Sequence, residues 1–183
     1  MPVAVEKEDS RSIKTVEALN GAMLSLLESR NFRNITIKDI CEEALVSRAT
    51  FYTHFTDKYD FLKWWLLKVY PDDLVNKEDI YEVMAQKINQ YMNENKAMIK
   101  HLFIDADSWT LDALFDVFYI IMRMTTDKTT DGLANPKYIV LSNFYISGMI
   151  HYIMWQAKND FPQNVTAMNN HVYEVIKIFQ EWD

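Results

Sequence analysis

Apolar residues along this chain recur at spacings of three and four and almost nowhere alternate over the length of a strand, which restricts the fold to packed helices. Prolines and turn residues divide the pattern at Pro71-Asp72-Asp73, at Thr130-Asp131-Gly132 through Pro136, and at Asn159-Asp160-Phe161-Pro162, where a helix cannot easily continue. Between these breaks the periodicity predicts about nine helices, over 11–30, 37–44, 48–54, 58–70, 78–94, 96–105, 109–127, 136–158 and 164–182. The fold class expected is therefore all-α, with one or two small helical domains in 183 residues.

Several function classes are excluded by the same residues. The three glycines, Gly21, Gly132 and Gly148, stand apart, so the chain has neither a GxGxxG turn nor a P-loop with which to approach phosphate closely. Cys41 is the single cysteine, which rules out an internal disulfide or a multi-cysteine zinc site and suits a reducing, cytoplasmic setting. His54, His101, His151 and His171 fall at no metal-ligand spacing, and no nucleophile-base pair is visible. No enzyme activity, metal or cofactor is expected. Residues 1–10 are polar and mixed in charge, which predicts a flexible arm and no secretory leader. Tyr138 to Ala157 is uncharged and of membrane-spanning length, but Ser142, Asn143, Ser147, His151 and Gln156 interrupt it, and a helix buried on all sides is expected there instead.

The formal charge of −7 argues at first against nucleic acid as a partner. Divided at Tyr70 it changes meaning. Residues 11–70 carry nine basic against seven acidic side chains, whereas 71–183 carry nine against sixteen, so the acidity resides in the second part. The domain division expected is an arm over 1–10, a first domain over 11–70 and a second over 71–183.

The informative stretch is Thr36 to Lys58, which contains three helix starts in succession. Thr36 can cap the first with Asp39 at the third helical position, Ser47 the second, and Asp57 the third with Asp60 in its first turn. Two short helices joined by Leu45-Val46-Ser47, with Ile37, Ile40, Cys41, Ala44, Val46, Phe51 and Phe55 inward, describe a helix-turn-helix. The outward residues of the second helix are Arg48, Ala49, Thr50, Tyr52, Thr53 and His54: hydrogen-bonding or small groups with no carboxylate. Such a face suits the major groove, where Arg pairs with guanine, Ala or Thr methyl meets thymine methyl, and hydroxyls, including that of Ser47, reach phosphates.

From Ile13 to Leu66 the sequence resembles the TetR family of bacterial transcriptional regulators. The resemblance rests on Leu26-Leu27, Asn31-Phe32, Thr36-Ile37-Lys38-Asp39-Ile40-Cys41, Val46 through Phe55, and Asp57-Lys58, with Tyr52, His54, Phe55 and Lys58 as its most diagnostic part. It implies a three-helix DNA-binding domain followed by a helical bundle for ligand sensing and dimerisation. It further implies that Thr36, Tyr52, His54 and Lys58 hold phosphates while Arg48, Ala49 and Thr53 face base edges. Two positions depart from the family pattern, each having a residue where glycine is usual. Asn31 is the next-best left-handed helix cap, and Leu45, in the turn, must adopt a strained backbone or remodel it.

No comparable motif marks the second part. Val165, Met168, Val172, Val175, Phe179 and Trp182 recur at 3-4-3-4-3, a packing seam expected to form a four-helix dimer interface with the 136–158 helix, including Ile146, Ile150 and Ile153. Gly148 within that helix suggests a close backbone crossing. Trp109, Phe115, Phe118, Met122, Phe144, Tyr145, Met149, Tyr152 and Trp155 supply the lining of a pocket for an apolar or aromatic effector, and Asp105, Asp107, Asp112 and Asp116 read first as a solvated acidic face, with a cationic effector as the alternative. The expected function is a homodimeric, ligand-responsive repressor on a palindromic operator in double-stranded DNA. The alternative, favoured by Glu42, Glu43 and Leu45 at the turn, is a co-regulator of the same fold that acts through protein partners without touching DNA.

Overall fold

The computed structural model describes residues 10–69, 90–126 and 136–161. Every element among the described residues is helical: α1 (Ser10–Leu27), a 3-10 turn (Phe32–Asn34), α2 (Ile37–Glu43), α3 (Arg48–His54), α4 (Lys58–Val69), α5 (Lys96–Phe103), α6 (Ser108–Thr126) and α7 (Pro136–Lys158), with a helical stretch over 90–94 preceding α5. The spacing of apolar residues thus identified each of these helices. The expected helix over 164–182, most of that over 78–94, and the boundary after Tyr70 lie outside the described residues.

One face of each helix is buried at the predicted spacing. Leu19, Met23 and Leu27 line α1, Phe61, Leu62 and Trp65 line α4, and Met98, Ile99, Leu102 and Phe103 line α5; Ala113, Leu114, Val117 and Ile121 line α6, and Tyr145, Ile146, Ile150, Ile153 and Ala157 line α7. These residues join into one continuous core. Helix α4 lies along α6, α1 packs on α2, and α5 is wedged between α1 and α7. The helix-turn-helix is therefore seated on the body through shared apolar surface, which removes water from both partners at about 25 cal/mol per Å².

Two expectations for α7 are corrected. It is not buried on all sides: Val140 is 67% and Phe144 62% exposed, with Gly148, His151 and Trp155 continuing the same open face. Ile146, Ile150 and Ile153, expected at a dimer interface, are buried in the core of the single chain. Nor is Gly148 a crossing point within the chain, since a Cβ built there meets nothing within 4 Å. The remaining interface residues of the sequence reading, Val165, Met168, Val172, Val175 and Phe179, lie outside the described residues. No helix among the described residues is long and apolar enough to cross a membrane.

Candidate nucleic-acid interface

Side-chain caps delimit the two helices of the motif as expected. Thr36 Oγ1 accepts from the Asp39 amide at 3.2 Å while the Asp39 carboxylate accepts from the Thr36 amide at 2.8 Å, a reciprocal capping box on α2. Ser47 Oγ accepts from the Thr50 amide at 3.0 Å and starts α3. Asp57 Oδ1 accepts from the amides of Tyr59 and Asp60, each at 2.8 Å, and starts α4. Arg30 reaches across from the end of α1 to pair with Asp39 at 3.2 Å. The Arg30 hydrogen bond, followed by those from Thr36, holds the Asp39 carboxyl well below the usual carboxylate range.

The seating of α3 is set from behind by aromatic rings. Phe51 and Phe55 point inward onto Phe61 at centroid distances of 5.8 and 4.8 Å, and Phe55 also meets Trp64 at 5.6 Å. Cys41 is buried nearby, and burial pushes its thiol pKa up, as befits a small core residue. The opposite face is open: Arg48, Ala49, Tyr52 and Thr53 are exposed, and Thr50 and His54 are half-buried. Thr53 Oγ1 donates back to the Thr50 carbonyl at 2.6 Å, leaving its methyl and lone pairs outward. Ser47 and Thr50 share a hydroxyl contact at 2.8 Å.

Between the helices, Leu45 adopts the strained alternative, with φ of 55°. The Leu45 amide donates to Glu42 O at 3.2 Å and the Val46 amide to Cys41 O at 2.9 Å, the pair of bonds that closes a helix end through a left-handed residue. The turn therefore keeps its usual shape, and the strain falls on Leu45 alone, whose side chain is 94% exposed. Because a non-glycine residue in this region costs about 1–2 kcal/mol and Leu45 packs against nothing in return, Leu45→Gly should raise stability by about 1 kcal/mol in urea denaturation. A loss of stability would show that the side chain has a partner.

Lys58 and Thr36 are engaged within the chain, and Asn31 departs from its expected conformation. Lys58 Nζ donates to three backbone carbonyls, Phe32 at 3.2 Å, Arg33 at 3.1 Å and Ile35 at 3.1 Å. An ammonium has three donors, so none remains for a phosphate. Thr36 likewise directs both its amide and its hydroxyl to Asp39 Oδ2, beside a negative charge that repels phosphate. Asn31 is no left-handed cap, since its φ and ψ of −63° and 135° are extended; its side chain instead donates to Asp105 Oδ2 at 2.6 Å.

Asp105 introduces what sequence reasoning missed. Three of the four aspartates read as a solvated acidic face bond to the DNA-reading unit instead: Asp105 accepts from Asn31, Asp107 from the Tyr59 hydroxyl at 2.9 Å, and Asp116 pairs with Lys63. His101 on α5 adds a bond from Nδ1 to the Leu27 carbonyl at 2.8 Å, which makes Nδ1 the protonated nitrogen because a carbonyl only accepts. The proposed pocket lining divides similarly. Trp109, 66% exposed, stands against the Tyr59 ring at 6.3 Å, and Trp155 is exposed, so neither is enclosed. Tyr145 is buried, Phe115, Phe118 and Met149 are half-buried against the core, and Tyr152 is half-buried; the Met122 side chain lies outside the described ones. Trp65 was not singled out by its spacing, yet its indole Nε1 is buried with no acceptor among the described residues.

Comparison with known proteins converges on one family. The family model for bacterial regulatory proteins of the tetR family matches residues 21–63. The DhaS protein of Lactococcus lactis, an HTH-type activator of the dhaKLM operon, is 24% identical over 113 residues, covering 61% of this chain. YxbF of Bacillus subtilis, an HTH-type transcriptional regulator, is 40% identical over 67 residues, 34% of this chain. The chain spans 57% and 18% of the length of these two relatives. A TetR transcriptional regulator from Streptococcus agalactiae superposes with a TM-score of 0.60 at 22% identity, over 92% of this chain and 97% of that one, and so shares the fold.

Proposed function

Because the chain belongs to the TetR family, we propose that it is a DNA-binding transcriptional regulator that acts in the cytoplasm as a homodimer on a palindromic operator, with residues 11–70 reading DNA and 71–183 sensing an effector. The observation that carries this reading is the outer face of α3, which presents Arg48, Ala49, Tyr52 and Thr53 to solvent with no carboxylate among them, on a helix locked from behind by Phe51 and Phe55. Arg48, Ala49 and Thr53 face bases; Ser47, Tyr52 and His54 lie at the flanks, where phosphates pass.

The exposed apolar face of α7 around Val140 and Phe144 supports the dimer. The buried Trp65 indole of α4 supports an effector with a hydrogen-bond acceptor, since a buried donor without a partner costs about 1–3 kcal/mol. Effector binding at α4 would tilt the reading unit and release the operator, the behaviour of a repressor.

Duplexes selected from a random pool by the chain, then assayed by gel retardation, test this. Arg48→Ala should weaken the selected site by about 10- to 100-fold and relax its preference at one base pair, with an unchanged melting temperature. Failure to retard any duplex at low salt would overturn DNA binding and leave the co-regulator that works through protein partners.

A further inference from the structure

The first two residues of α4, Lys58 and Tyr59, bond to different parts of the molecule. Lys58 bonds the carbonyls of Phe32, Arg33 and Ile35, the segment that runs directly into the Thr36 cap of α2. Its ammonium also lies 4.8 Å from the Phe32 ring centroid and 5.2 Å from that of Tyr59, so the three side chains form one block. Tyr59 faces the body: its hydroxyl donates to Asp107 Oδ2 at 2.9 Å, and its ring meets Trp109. Asp107 is itself fixed, because its other oxygen caps α6, accepting from the Thr110 amide at 2.8 Å and the buried Thr110 hydroxyl at 2.7 Å. Burial opposes the charge on Asp107, but the Thr110 bonds, Tyr59 and the Lys58 charge outweigh it and hold the carboxyl below its ordinary value. Burial and the Asp107 bond push the Tyr59 phenol up to about 12, so the bond persists through neutral pH.

A path of bonds and ring contacts thus joins the N-terminus of α6 to the helix-turn-helix through the Tyr59 phenol, beside the separate Asn31–Asp105, Lys63–Asp116 and His101–Leu27 links. We propose that Asp107 and Tyr59 are positioning residues for operator binding: the Asp107–Tyr59 bond sets the angle of each helix-turn-helix on its body, and thereby the half-site spacing that the dimer accepts. This rests on the operator-binding reading above. Two heads held at a fixed angle match one spacing, because each added base pair moves a half-site along the groove and rotates it by about a tenth of a turn.

The experiment compares the operator selected by the wild-type chain with the same duplex carrying one base pair inserted at its centre. Wild type should lose at least about tenfold in affinity on insertion, as one half-site falls out of register. Tyr59→Phe keeps the ring and removes the bond; it should bind the selected operator more weakly, yet lose less than about threefold on insertion. Two further variants separate positioning from helix capping. Asp107→Ser caps α6 but is too short to reach Tyr59, and should show the same flattened response; Asp107→Asn caps and also reaches, and should keep the wild-type response. A wild-type spacing response in Tyr59→Phe or Asp107→Ser overturns the proposal while leaving DNA binding intact. If the wild type selects no DNA, the operator reading fails and the positioning role fails with it.

Discussion

Lys58→Met should lower the stability of the protein by about 2–4 kcal/mol in urea denaturation, an effect that no phosphate-contacting lysine would have. Methionine retains the apolar stem and its contact with the Phe32 and Tyr59 rings, so the change isolates the ammonium. Three carbonyls, of Phe32, Arg33 and Ile35, then lose a charged donor together, and that of Phe32 keeps the Ile35 amide at 3.0 Å. Burial lowers the Lys58 pKa, opposed by the charge of Asp107, a sign that the group is withdrawn from bulk water. Any loss of DNA affinity should follow from the unfolded fraction and recover when the chain is stabilised by osmolyte. An unchanged urea midpoint accompanied by lost affinity would restore Lys58 to the phosphate backbone.

The second large effect concerns assembly. Val140→Asp should convert the proposed dimer to monomer in sedimentation without unfolding the chain, because Val140 already faces solvent in the single chain. Ile150→Asp should instead unfold the chain, since Ile150 is fully buried and an unpaired carboxylate there costs several kcal/mol. With only one head on the DNA, Val140→Asp should also lose about a hundredfold or more in operator affinity, the usual scale of bivalency. A dimer that survives Val140→Asp would exclude the open face of α7 as the interface. The two substitutions lie on the same helix, ten residues apart, and differ only in which side of it they charge.

How far such contrasts could be read from residues alone varied along the chain. Caps at Thr36, Ser47 and Asp57 were legible because a cap is a local bond, spanning two or three positions, that depends on side-chain type. The strained Leu45 was legible for the same reason, since φ is decided by the turn and not by distant contacts. The partners of Lys58 were not legible because a long side chain's acceptors are chosen in three dimensions: its carbonyls lie 23 to 26 residues away. The burial of Ile146, Ile150 and Ile153 within their own chain was not legible, because an apolar residue has the same periodicity whether it meets its own chain or another.

Asp107 shows the limit most directly. As a member of an acidic group it read as solvated, with a cation as the alternative, and only the packing of α6 on α4 brings it to Tyr59, 48 positions earlier. Periods of three to four residues and local caps suffice to define an all-α fold, the position of each described helix, the helix-turn-helix and the outward residues of α3. Which polar groups hold the molecule together follows from packing alone. A hydrogen bond excludes its competitors, and which competitor is nearest is a property of the packed chain.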